Sequence, residues 1–157
     1  FGNQRVIEEQ DVIVLDYGCS YEGMFSDVTR TVFVGGVTEE QRKVYEIVRR
    51  ANRAAREAVR EGAFIPDVDA AARDLITAEG YGEFFTTRLG HGIGYITHEQ
   101  PEIKATNRRR LERGMAFSVE PGIYMAGKFG VRIEDVVVMG EKGAERLNRT
   151  GHEMVVL

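Results

Sequence analysis

Residues 11–34, DVIVLDYGCSYEGMFSDVTRTVFV, decide the fold. Asp11 to Tyr17 is β-branched and apolar, Ser20-Tyr21-Glu22-Gly23 carries turn chemistry, and Phe25 to Val34 reads as the returning strand. The stretch is a hairpin with an acid on each arm. Asp16 ends the apolar run Val12-Ile13-Val14-Leu15, where a carboxylate facing a core is costly to ionise without a cation or hydrogen-bond donors. If the hairpin turns about Tyr21-Glu22, equal arms set Asp16 across from Asp27, with Cα atoms about 4.5–5.5 Å apart. Like charges at that separation repel, and a divalent cation turns the repulsion into shared coordination by hard oxygen ligands.

Downstream, Gly35-Gly36 ends the hairpin, and Thr38 with Gln41 forms a capping box ahead of a long helical pattern. Val44, Ile47, Val48, Ala51, Ala55, Ala58 and Val59 recur at three- and four-residue spacings, one apolar stripe suited to covering a sheet. That helix is expected to end near Gly62. A second, from about Asp67 to Glu79, follows Pro66 and stops at Gly80. Gly90, Gly92 and Gly94 then punctuate a histidine-bearing loop, Ala116 to Val119 and Val131 to Met139 are strand-like, and final strands fall around Arg146 and Met154 to Leu157. Strands, then helices, then strands, with tight hairpins and no linker or repeat, predict one α+β domain over residues 1–157 with an antiparallel sheet.

A second acid pair repeats the first. Glu120 and Glu134 are equidistant from Gly127, so a hairpin there would pair them, with room for a bulge at Pro121-Gly122. Any one of the four acids alone reads as a strand-end carboxylate in solvent. Together, in apolar strand contexts and two hairpin-related pairs, they point to a metal site. His91, in Leu89-Gly90-His91-Gly92-Ile93-Gly94, supplies a nitrogen ligand whose small neighbours allow close backbone packing; without the acids it would read as an exposed loop histidine. Those glycines lack the spacing and the strand-to-helix context of a dinucleotide fingerprint. His98 is close enough to line the same pocket and suits proton transfer or oxyanion stabilisation, with a capping or loop role as the alternative. His152 reads as structural.

Composition narrows the classes. With 157 residues, 43% hydrophobic and 29% charged, the length suits one domain with a real core. A net charge of -4 with interspersed signs provides no field for nucleic acid or anionic lipid. Cys19 is alone, no apolar run approaches the roughly 20 residues of a membrane span, and the cytoplasm is the default location. The chain starts at Phe1 without an initiator methionine, which suggests a fragment or processed product.

Four stretches carry a resemblance: LDYGCSYEGMFSDVTRT (15–31), GHGIGYITHEQP (90–101), FSVEPGIY (117–124) and VRIEDVVV (131–138). In order and spacing they resemble the pita-bread-fold metallopeptidases, the family of methionine aminopeptidase, aminopeptidase P and prolidase. The resemblance implies a curved antiparallel sheet covered by helices, lacking the family's upstream part. It implies two divalent ions, with Asp16 chelating one, His91 and Glu120 holding the other, and Asp27 and Glu134 bridging them. Manganese is expected, with cobalt, zinc or iron as alternatives. Arg132 and Thr29-Arg30-Thr31 resemble the Xaa-Pro enzymes, with Tyr124 and Arg132 steadying Asp16.

The implied activity is hydrolysis of the peptide bond preceding proline by a metal-bridging hydroxide, with His98 and Glu120 catalytic. A homodimer and a peptide substrate with proline after its N-terminal residue are implied too. A methionine aminopeptidase-type exopeptidase and a non-catalytic pita-bread binding module are the alternatives.

Overall fold

The computed structural model describes residues 4–157, so the expectation drawn from Phe1 lies outside the described residues. The strands β1 (Val12–Tyr17), β2 (Ser20–Tyr21), β3 (Met24–Phe25) and β4 (Val28–Phe33) form the expected hairpin. Its register corrects the sequence reading: Asp16 lies across from Thr29, not Asp27, and Ser20 across from Phe25. The cause is the turn. Glu22 and Gly23 both take positive φ, 49° and 83°, a two-residue hairpin turn whose twist matches the strands and moves the centre one residue along. Moving the centre by one moves the pairing by two, which preserves the face, so Asp16, Thr29 and Asp27 keep a common side. The expected burial of Asp16 is also corrected. It is exposed on β1, beside Leu15 and Tyr17 at 42% and 56% exposure.

Helix α1 (Glu39–Ala58) starts at Thr38 with both bonds of the capping box made. Its predicted stripe is its buried face: Val44, Ile47, Val48, Ala51 and Ala55 are at 0–1% exposure. It ends at Ala58, with Val59 as its C-cap three residues before Gly62. Helix α2 (Ile65–Ala78) begins two residues earlier than expected, since Pro66 occupies its first turn, where a missing N–H costs nothing. The helices pack on each other, α1 also against strands within residues 116–132 and α2 against the strand at residues 99–103.

The second half supplies β5 (Gly90–Gly92), β6 (Glu99–Ile103), β7 (Ala116–Val119), β8 (Gly122–Met125), β9 (Phe129–Arg132), β10 (Asp135–Gly140), β11 (Gly143–Arg146) and β12 (Val155–Val156). A five-stranded sheet runs β11-β10-β7-β5-β6, a three-stranded one runs β1-β4-β12, and β2-β3 and β8-β9 are two-stranded ribbons. The last strand pairs parallel to β4, a departure from an all-antiparallel reading. The loop expected around His91 is corrected as well: His91 sits in β5, between β7 and β6. Glycine permits this. A Cβ on Gly90 would lie 1.9 Å from the Ser118 carbonyl oxygen, and one on Gly92 would lie 2.3 Å from that of Gln100.

Val119 pairs with Asp135 and Gly122 with Arg132 in one continuous register, in which Glu120 and Glu134 face each other between the two ladders, as the sequence predicts. Asn52, fully buried on α1, donates to the carbonyls of Val119 and Ile133, at 2.9 and 3.2 Å, the residues just before those glutamates. Asn52→Ala is expected to lower the free energy of unfolding by about 2–3 kcal/mol, because two buried carbonyls lose their donor, and urea denaturation reads it. Thr38→Ala, which removes only the cap, is expected to cost about 1 kcal/mol in the same assay.

Candidate metal centre

All five acid and histidine positions converge where the two hairpins meet. Asp27 lies in the gap between β3 and β4, and Glu134 makes an isolated bridge to Thr29 just before β10. One oxygen or nitrogen from each of Asp27, His91 and Glu134 falls within a group whose atoms lie within 4.8 Å of one another, and all three residues are buried. Glu120 Oε1 is 3.1 Å from His91 Nε2, and Asp27 Oδ2 is 3.7 Å from the same nitrogen. Asp16 stands at the exposed side, its carboxylate held by the Arg132 guanidinium.

The imidazole has a fixed orientation. His91 Nδ1 lies 3.0 Å from the Gly92 carbonyl, which only accepts, so Nδ1 carries the hydrogen and Nε2 faces the carboxylates. Ser118 anchors this strand pair, accepting from the His91 backbone N–H at 3.0 Å and donating to Glu120 Oε1 at 2.9 Å. Thr29 Oγ1 donates to Glu134 Oε2 at 2.5 Å and accepts from Arg132 Nε at 3.1 Å, while Arg132 Nη1 donates to the Tyr124 hydroxyl at 3.1 Å. The second oxygen of Glu134, Oε1, is buried without a hydrogen-bond partner.

His98 is exposed, its ring edge-on to His91 at 4.3 Å between centroids. It lines a cavity of about 360 Å³ together with Asp16, Asp27, Tyr17, Phe25 and Thr97. His152 lies elsewhere, its Nε2 2.7 Å from Oδ2 of the buried Asp135.

Sequence reasoning missed Ser118 and named Thr29 only within the Thr29-Arg30-Thr31 stretch, without its bond to Glu134. A period-two signal existed for both, since Thr29 follows Asp27 by two and Ser118 precedes Glu120 by two, which puts each pair on one strand face. Asn52 and Asn148 carry no such signal, because each reaches the site across a large sequence separation.

The comparisons with known proteins meet this geometry. A model of metallopeptidase family M24 matches residues 1–141. The chain belongs to metallopeptidase family M24. It is 46% identical over 156 residues to a probable dipeptidase, PepE, of Mycobacterium bovis, covering 99% of this chain and 42% of that protein. It is 44% identical over 153 residues to a Xaa-Pro dipeptidase of Pyrococcus furiosus, covering 98% of this chain and 44% of the relative. The crystal structure of a recombinant prolidase from Thermococcus sibiricus matches with a TM-score of 0.97 at 49% identity, over 99% of this chain and 42% of that one. The M24 chain thus has the pita-bread fold of its family and spans 42–44% of the length of these relatives. No helix among the described residues is long and apolar enough to cross a membrane.

The donor set suits a hard or borderline divalent cation, and the electrostatics of this M24 site call for one. Burial, then the charge of Glu120, pushes the Glu134 carboxyl up to about 8 against the hydrogen bond from Thr29. Burial and the charge of Asp16 raise Asp27 as well. Burial would lower His91, but its bonds to Glu120 and the Gly92 carbonyl outweigh that and raise it. Burial likewise opposes an ionised Glu120, and His91, Ser118 and Arg132 reverse the balance to leave its pKa lowered.

For Glu134 the folded state keeps a proton that the unfolded chain releases near 4.5, so its stabilisation is full below that pH and is lost as pH rises through about 8. The raised Asp27 and His91 act in the same direction, and the lowered Glu120 acts only below its ordinary range. Chelator-treated protein is therefore expected to melt at a lower temperature at pH 8 than at pH 5.5. Glu134→Gln is expected to flatten that slope, and an equal slope in the variant, by scanning calorimetry, would contradict the assignment.

Proposed function

We propose that this chain is the metal-binding, catalytic part of an exopeptidase that hydrolyses the peptide bond preceding proline, of the Xaa-Pro dipeptidase or aminopeptidase P type. The observation that carries the reading is Glu134, a carboxylate at 1% exposure with one unpartnered oxygen, grouped with Asp27 and the Nε2 edge of His91. A buried charge so placed is costly unless a cation completes it. Asp16, Asp27, His91, Glu120 and Glu134 would hold two divalent ions, with manganese suited to four carboxylates and one imidazole. The proline preference is supported by the relatives named Xaa-Pro dipeptidase and prolidase. A homodimer and a cytoplasmic location belong to the same reading.

Bound ions supply Lewis acidity, which polarises the scissile carbonyl and acidifies the attacking water. The remaining steps belong to side chains. Glu120, held ionised by His91, Ser118 and Arg132, accepts the proton of the attacking water and passes it to the leaving nitrogen. Like any amide nitrogen, that of proline must gain this proton to leave as an amine. His98, on the cavity wall, donates to the developing oxyanion. Arg132, braced by Tyr124 and Thr29, holds Asp16 in orientation, as outer donors do for carboxylate ligands.

Full-length protein supplied with Mn2+ is expected to hydrolyse Ala-Pro in preference to Met-Ala. Asp27→Ala should fall to background, and turnover equal to wild type would end the proposal. For His98→Ala the expectation is a kcat lower by about 10²- to 10³-fold with bound metal unchanged, which separates oxyanion donation from metal binding.

A further inference from the structure

Two of the proposed ligands sit where their strands have no ladder. Asp27 lies between β3 and β4, and Glu134 immediately precedes β10. Asn148 links the first place to the strand that begins just after the second. Its Nδ2 donates to the Asp27 carbonyl at 2.9 Å, and its Oδ1 accepts from the Val136 N–H at 2.6 Å. The amide's orientation is fixed by its partners, since a carbonyl only accepts and an N–H only donates.

The position of Asn148 follows from the β10-β11 hairpin. Val137 pairs with Arg146, and the Leu147 N–H donates to the Val136 carbonyl at 3.0 Å, continuing that ladder one step beyond the strand. The next residue, Asn148, then turns its side chain into the place of a further ladder bond and reaches across to the first hairpin. The segment after it is tied down as well: Arg30 donates from Nε to the Gly151 carbonyl and from Nη2 to that of Thr150. Its Nη1 meets the carbonyls of Thr29 and Glu134 at 2.7 and 2.6 Å. Residues 148–151 thus form a strap that bonds the backbone on both sides of the metal centre.

We propose that Asn148 is a positioning residue that sets the separation between Asp27 and Glu134, and through it the affinity of the centre for divalent metal. The inference rests on the metal-binding reading above. It requires one planar group offering a donor and an acceptor together. Asparagine has both, aspartate keeps only the acceptor, and alanine keeps neither.

The test is calorimetric titration of chelator-treated full-length protein with Mn2+, for wild type, Asn148→Asp, Asn148→Ala and, as a control, Arg149→Ala at the exposed neighbouring position. Both Asn148 variants are expected to bind Mn2+ about tenfold more weakly, the range found when an outer partner of a ligand is removed. Arg149→Ala should match wild type. Asn148→Asp retains the Val136 bond and loses only the donor to the Asp27 carbonyl, so its chelator-treated form should melt closer to wild type than that of Asn148→Ala while losing as much affinity. The visible absorption of the Co2+-loaded form should shift with it, as the ligand geometry changes. Unchanged affinity in both variants overturns the inference, as does an affinity loss that grows in step with the drop in melting temperature from Asn148→Asp to Asn148→Ala. No Mn2+ binding by wild type overturns the metal-binding reading and this inference together, whereas wild-type binding with unaffected variants overturns this inference alone.

Discussion

The structure is organised around a carboxylate that the interior does not want. Glu134 is almost fully buried, faces Glu120 and Asp27, and has one oxygen bonded to Thr29 and the other unpartnered. A protein that retains such a group must fix it from several sides, because a free rotamer would turn the charge away from its neighbours. The fixing is visible residue by residue. Thr29 binds the side chain and its backbone carbonyl accepts from the Glu134 N–H; Asn52 holds the carbonyl just before, and Arg30 holds Glu134's own carbonyl. Strand β4 contributes three of these contacts and helix α1 the fourth.

The acids occupy interruptions in otherwise regular ladders. Glu120 and Glu134 fall between β7-β10 and β8-β9, which share one register, and Asp27 falls between β3 and β4. A ladder interruption frees backbone groups, and buried free groups must find other partners. Here they bond across the molecule: the Glu120 N–H to the Leu89 carbonyl, the Glu134 N–H to that of Thr29, and the Asp27 carbonyl to Asn148. The gaps that make room for several carboxylates are therefore also the points where separate segments are tied together. Space for a cation and cohesion between the hairpins come from the same local departure from regular pairing.

How much of this was legible depended on whether the determinant was local. The capping box at Thr38, the stripe along α1 and the span of β7 were readable because each depends on residues a few positions apart. The second hairpin's register was readable because Gly127 at its centre takes positive φ, as a glycine in a turn should. The first was misread by two because Glu22, not a residue that favours the left-handed region, takes φ 49° there. β5 was read as a loop because Gly-His-Gly has no strand propensity; it is a strand only because the Ser118 and Gln100 backbones close in on both sides. β6 was missed because it contains Pro101, tolerated there on the sheet's edge. The two hairpin-related acid pairs suggested the candidate metal site before any register was known, since a shift by an even number of residues leaves every side chain on its face.

Burial grades the site from interior to solvent, and the grading divides its chemistry. Glu134, His91 and Asp27 lie deep, where electrostatic interactions are strong and side chains have little freedom. Glu120 is half-buried beside Arg132, and Asp16 and His98 stand exposed on the wall of the cavity. A reversed arrangement would put the carboxylates in water, where their attraction for a cation is weakest. Arg132 spans the gradient, reaching Asp16 with one nitrogen and Thr29, the partner of Glu134, with another. The exposed carboxylate is thereby registered to the buried one through a single planar cation. A lysine, with one compact ammonium, could not hold both at once.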